Sequence, residues 1–252
     1  MSCGFRYSND VTDSTSAPAI LARELLFAWP GKAPVIDIEQ FSVARGERVF
    51  LRGPSGSGKS TLLGLLGGVL KPARGEVNLL GTEISALSAS RRDRFRGEHL
   101  GFIFQMFNLI PYLSVLENVL LPADFSPARA VRVGGDLQAE GRRLLGALGL
   151  GASDIQSRAV TELSIGQQQR VAAARALLGK PEIIVADEPT SSLDHDARED
   201  FLQLLMGECR TQGSTLLFVS HDTSLGYLFD RTISLGDLNR AGGIRTRAGQ
   251  SS

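Results

Sequence analysis

The sequence predicts an α/β protein with a mainly parallel core sheet, an antiparallel β layer and a helical insert, and three observations carry this prediction. Continuous apolar runs at 48–51, 101–104, 183–186, 215–219 and 232–235 read as strands covered on both faces, as parallel sheets require. Alternating runs at 25–29, 35–41, 48–51 and 76–80 read as an antiparallel layer. The string GPSGSGKST at 53–61, with apolar residues on either side, reads as strand, glycine-rich loop and helix.

Taken in chain order, residues 1–18 are rich in Ser, Thr and Asp and read as a disordered tail. The single domain is expected over 19–240, with its core and β layer in 19–104 and 165–240 and a helical subdomain in 105–164. The helix after the glycine-rich loop is expected to run to Lys71 and Pro72, where proline and then Gly75 stop it. Residues 88–96 read as a polar helix whose arginines, Arg91, Arg92, Arg94 and Arg96, form a solvated face in preference to a lipid-facing rim. From about Ala241 a Gly, Arg and Ser tail is expected to be flexible.

Composition bounds the class. With 252 residues, 42% of them hydrophobic, the chain can bury a large core. Lys plus Arg (27) equals Asp plus Glu (27), so no whole-chain basic field points to nucleic acid. Cys3 and Cys209 make no disulfide framework. No apolar run approaches a membrane span and no charged segment leads into an apolar core at the start, so a cytoplasmic chain is expected, with membrane contact only through a partner.

The loop carries the first chemistry. Gly53, Gly56 and Gly58 let the backbone of the loop curl past Pro54, which has no N–H, so that the N–H groups of Ser55, Ser57 and the helix start face phosphate oxygens, and the helix N-terminus favours the same charge. Lys59 would reach the β- and γ-phosphates of a nucleoside triphosphate, and Ser60, beside Thr61, would place its hydroxyl on Mg2+. The strand at 183–186 ends in Asp187 and Glu188. Asp187 suits the magnesium shell, and Glu188 suits a general base for the attacking water.

Between these elements stands LSIGQQQR at 163–170, and the chain here resembles the nucleotide-binding subunits of ABC transporters, whose signature is usually LSGGQ. The resemblance spans about 21–239. It takes in Gln105 after the 101–104 strand (the Q-loop), Ser192, Leu193 and Asp194 (the D-loop) and His221 after the 215–219 strand (the switch histidine). It departs from the pattern at Ile165, while Ser164, Gly166 and Gln167 are intact. The residues alone leave a plainer reading open, in which Ser192 or Asp194 simply caps the next helix.

The resemblance implies the ABC fold and an ATPase working as a head-to-tail homodimer. Each ATP would lie between 53–61 of one subunit and Ser164, Gly166, Gln167 and Asp194 of the other, with Gln105 joining Ser60 and Asp187 at Mg2+. Lys59, Gln105, Glu188 and His221 would carry the hydrolysis. For adenine the family uses an aromatic upstream of the loop; Trp29 stands at the expected distance, with Phe27 as competitor. The partner implied is an integral membrane permease, which would hold the chain on the inner face of the membrane, docked through the insert that opens with Met106, Phe107, Leu109, Ile110 and Tyr112. The segment 87–122 looks most like the LolD and MacB (lipoprotein-releasing, macrolide-exporting) branch. An amino-acid importer subunit and a force-transmitting regulator of the cell-division FtsE type stay open as alternatives.

Overall fold

The computed structural model describes residues 17–242, so the tail expectations for 1–16 and 243–252 lie outside the described residues. In chain order the elements are β1 (Ile20–Ala28), β2 (Pro34–Val43), β3 (Arg48–Arg52), α1 (Lys59–Leu66), β4 (Arg74–Leu79), β5 (Thr82–Glu83), α2 (Ala89–His99) and β6 (Leu100–Ile103). Four helices follow: α3 (Val115–Phe125), α4 (Pro127–Val133), α5 (Leu137–Ala147) and α6 (Ser153–Gln156). The chain then returns through α7 (Ile165–Leu177), β7 (Ile183–Asp187), α8 (His195–Gln212), β8 (Thr215–Ser220), a 3-10 helix (Thr223–Leu228), β9 (Arg231–Ser234) and α9 (Leu235–Leu238).

Two sheets result. An all-parallel sheet runs β6-β7-β8-β3-β9, and an antiparallel sheet runs β2-β1-β4-β5. The expected β layer is therefore present, with one correction. Residues 48–51 belong to the parallel sheet alone, paired with β8 and β9, because Val49, Phe50 and Leu51 are all buried and bury both faces of the strand.

The side chains of β3 divide between two cores. Val49 and Leu51 pack with α1 and the antiparallel sheet, among Leu25, Ile36, Leu62 and Leu66. Phe50 faces the other way, stacked on Phe218 and packed with α3, α5, α7 and α8 through Val119, Leu144, Val171 and Phe201. The two faces of the parallel sheet thus separate a β-rich layer from a helical one.

At Gly101 helix and sheet pack tightly: a Cβ there would lie 2.3 Å from the Ala176 carbonyl oxygen, so β6 and α7 meet at this distance only over glycine. Arg129 bolts α4 to the same place. Its buried guanidinium donates to the carbonyls of Leu100, Ala176 and Leu178 without a carboxylate among those partners, and burial lowers its pKa to about 10.

The helix after the glycine-rich loop is shorter than expected. α1 stops at Leu66, with Gly67 as its C-cap and Gly68 at φ 68°, and the Val69 and Leu70 N–H groups turn back to the Gly64 carbonyl. The arginine-rich helix appears as α2, capped by Ser88, with none of its residues fully buried, but Arg92 turns inward and donates to the Gly68 and Leu87 carbonyls, which leaves Arg91 and Arg94 as the exposed members of the expected solvated face. Among the described residues no helix is long and apolar enough to cross a membrane.

Candidate functional site

The glycine-rich loop follows β3 and sits at the carboxyl ends of the parallel strands, where open α/β sheets bind ligands. Its backbone depends on glycine at Gly56 (φ 78°) and Gly58 (φ 98°). At Gly58 a Cβ would also come within 3.1 Å of Ile36 and 3.3 Å of Val35, so β2 closes against the loop. Gly58 is the N-cap of α1 without a side-chain cap, which leaves the first N–H groups of that helix turned towards the loop.

Trp29, Pro54, Ser55, Gly56, Gly58, Lys59, Ser60, Thr61, Gln105, Glu188 and His221 line one cavity of about 740 Å³, together with Val35. Lys59 is nearly buried. Its Nζ donates to the carbonyls of Gly53 (2.7 Å) and Pro54 (3.0 Å) and lies 3.3 Å from Glu188 Oε1. The other Glu188 oxygen, Oε2, lies 2.6 Å from His221 Nδ1. Glu188 is thus held between a cation and an imidazole, with its own backbone in the left-handed region (φ 49°) and its N–H bonded to Val219 O at 2.9 Å. A non-glycine residue pays for that conformation with strain, and here it turns the carboxylate out of line with β7 and into the cavity.

Asp187, the last residue of β7, accepts from the Ser60 hydroxyl through Oδ2 at 2.9 Å, while Oδ1 is buried with no partner. That orphan oxygen, the adjacent hydroxyl and the open phosphate loop fit Mg2+. Among the described residues no group of three or more His, Cys, Asp and Glu could cage a metal by itself, and Mg2+ is commonly bound by one or two carboxylates plus substrate phosphates. Burial raises the Asp187 pKa, against the lowering effect of the Ser60 bond. The folded chain therefore binds the Asp187 proton more tightly than the unfolded chain does, and the stability this contributes is present in acid and is lost as pH rises through the raised pKa. Asp187→Asn is accordingly expected to melt at or above the wild type at neutral pH without nucleotide, with the gap closing in acid. A lower melting temperature at neutral pH would contradict the burial argument.

Phe27 is buried and packs edge-on against Trp29 at 5.0 Å, whereas Trp29, just beyond the end of β1, is 40% exposed on the cavity. Only the tryptophan offers a free ring face. Of the cluster after Gln105, Phe107 is buried, Leu109 and Ile110 are half-buried, and Met106 and Tyr112 stand out in solvent.

Ser164, Gly166, Gln167 and Asp194 do not line the cavity. Ser164 and Gln167 form a reciprocal cap at the start of α7: Ser164 Oγ accepts from Gln167 N–H at 3.3 Å, and Gln167 Oε1 accepts from Ser164 N–H at 2.9 Å. Ile165 beside them is 54% exposed. Asp194 caps α8 by accepting from Ala197 N–H at 2.9 Å, the plainer of the two roles the sequence left open. Two supporting residues had no signal in the sequence. Val35 walls the cavity, and Arg175 on α7 donates to the carbonyls of Phe107 and Asn108, both at positive φ, just after Gln105.

With this geometry in place, the family model described as ABC transporter matches residues 37–191. The chain belongs to that family. It is 42% identical over 210 residues to the lipoprotein-releasing system ATP-binding protein LolD of Anaeromyxobacter dehalogenans, covering 83% of this chain and 86% of that protein. It is 37% identical over 216 residues to the macrolide export ATP-binding/permease protein MacB of Rhodopirellula baltica, covering 85% of this chain and 31% of that protein. The dimeric structure of a post-hydrolysis state of the ATP-binding cassette MJ0796, bound to ADP and Pi, aligns with a TM-score of 0.75 at 33% identity, covering 85% of this chain and 93% of that one. The chain is therefore an ATP-binding ABC ATPase of the LolD and MacB branch.

Proposed function

We propose that this ABC ATPase binds Mg-ATP between the 53–61 loop of one subunit and Ser164, Gly166 and Gln167 of a second copy, and that closure of this dimer drives a membrane permease in export or lipoprotein release. The observation that carries the catalytic part is the placement of Glu188, held between Lys59 and His221 on the wall of the loop cavity. Phosphate oxygens take over Lys59 from its present partners, Glu188 accepts a proton from the attacking water, and His221 holds the γ-phosphate side of the site. Ser60, Asp187 and Gln105 would hold Mg2+, which when bound offsets charge on the β- and γ-phosphates. Trp29 stacks on adenine.

The trans part is supported by the separation of Ser164, Gly166 and Gln167 from the cavity of their own chain and by the dimeric relative bound to ADP and Pi. ATP then favours the closed dimer because it meets both halves only there. The permease is supported by the names of the relatives, one a lipoprotein-releasing component and one fused to its permease. For its docking surface we favour a second cavity of about 420 Å³, walled by Phe102, Phe104, Leu121 and Phe125 between α2 and the helical insert, in place of the expected cluster, since Met106, Phe107, Leu109, Ile110 and Tyr112 do not line it.

Specific ATPase activity should rise with protein concentration, because a monomer carries half of each site. A flat concentration dependence down to the nanomolar range would contradict the trans reading. Trp29 is the only tryptophan, so its fluorescence should change on adding ATP or ADP, and Trp29→Ala should weaken ATP binding by about 1–3 kcal/mol in calorimetry. A silent signal with unchanged affinity would move adenine elsewhere.

A further inference from the structure

Arg198, in the first turn of α8, spans two segments beside the proposed catalytic pair. Its Nε donates to the Leu193 carbonyl at 2.9 Å, and its Nη1 donates to Asp222 Oδ2 at 2.6 Å. Leu193 belongs to the stretch between Glu188 and α8, and Asp222 directly follows His221. Asp222 is itself locked. Its Oδ1 accepts from Ser224 N–H (3.1 Å) and Ser224 Oγ (2.7 Å), and its N–H donates to Ser220 Oγ at 3.1 Å. Those contacts are local to the loop, whereas the ion pair with Arg198 ties the loop to another element.

The His221 side chain is 61% exposed, so packing does little to orient it. Its 2.6 Å approach to Glu188 depends on where the short link between β8 and the 3-10 helix is held. We propose that Arg198 is a positioning residue for ATP hydrolysis, which sets His221 against Glu188 by fixing the link through Asp222 while its second arm holds the Leu193 backbone. Both arms come from one planar guanidinium, so a shift of the Leu193 segment is passed to His221 rather than absorbed. One further contact, from the Tyr227 hydroxyl to Glu199, laces the 3-10 helix to the same turn of α8. The inference rests on the reading that Glu188 and His221 carry hydrolysis.

The test is a mutant cycle on the full-length chain, with steady-state ATPase and equilibrium ATP binding as readouts. Arg198→Met and the near-isosteric Asp222→Asn should each lower kcat by about tenfold or more, with KM and ATP affinity changed far less, since Lys59 and the loop backbone that hold the phosphates are untouched. In a His221→Ala background, Arg198→Met should cost less than about twofold further, because its effect runs through His221. Independent, multiplying losses, or wild-type kcat in both single variants while Glu188→Gln and His221→Ala are strongly slowed but still measurable, would overturn the positioning role alone. Wild-type turnover in His221→Ala would overturn the reading of the site, and the inference with it.

Discussion

Glu188→Gln is expected to lower ATP turnover by roughly 10²–10⁴-fold while leaving ATP bound, because the substitution keeps the side chain's size and removes its capacity to take a proton. The present geometry adds a second expectation. Glu188 Oε1 lies 3.3 Å from Lys59, so in the nucleotide-free state the carboxylate competes with phosphate for that ammonium. A neutral glutamine withdraws the competition, and ATP affinity should hold or rise. Single-turnover phosphate release paired with calorimetric titration separates the two effects. Turnover within a few-fold of the wild type would remove Glu188 from the role of base.

Lys59→Ala should act in the opposite way, on affinity first. The ammonium is nearly buried and is held by the Gly53 and Pro54 carbonyls, which aim it along the floor of the loop. A charge-assisted bond of this kind contributes about 1.5–3 kcal/mol, so ATP binding should weaken by roughly 10- to 100-fold. The backbone of the loop, set by Gly56 and Gly58, should survive the change. Unchanged affinity in the same titration would contradict the assignment.

The parts of this site that could be read from sequence are those where a residue type is forced by local geometry. Gly56 and Gly58 occupy positive φ, and the loop before α1 admits few other residues. The buried strands announced themselves because β7 and β8 are apolar on both faces. Errors came where an apolar run outlasted its element. Val69 and Leu70 continue the pattern of α1 after Gly67 has already ended it, so the helix read about five residues too long. Arg48 to Leu51 was short enough to fit either sheet, and only its pairing with β8 and β9 decides.

Contacts between distant positions were not legible at all. Arg175 reaches Phe107 and Asn108 across more than 60 residues, and Arg129 reaches Leu100 across 29. No periodicity relates such pairs, because tertiary packing alone brings them together. Trp29 and Phe27 illustrate the middle case. Alternation placed both on a strand, and the structure separates them by burial: one ring is spent in the core and the other faces the cavity.

The central claim is that each complete site takes its loop from one copy of the chain and its signature from another, and complementation tests it most directly. Lys59→Ala and Ser164→Arg subunits should each be inactive alone, the first for want of the phosphate-binding cation and the second because a bulky cation replaces the small hydroxyl at the start of α7. Mixed in equal amounts, they should form heterodimers with one intact site, built from the loop of the Ser164→Arg subunit and the signature of the Lys59→Ala subunit. Recovery of ATPase activity on mixing, growing with total protein concentration, is the result expected. A mixture as inactive as its parts, although native mass spectrometry shows the heterodimer with ATP bound, would contradict the trans arrangement.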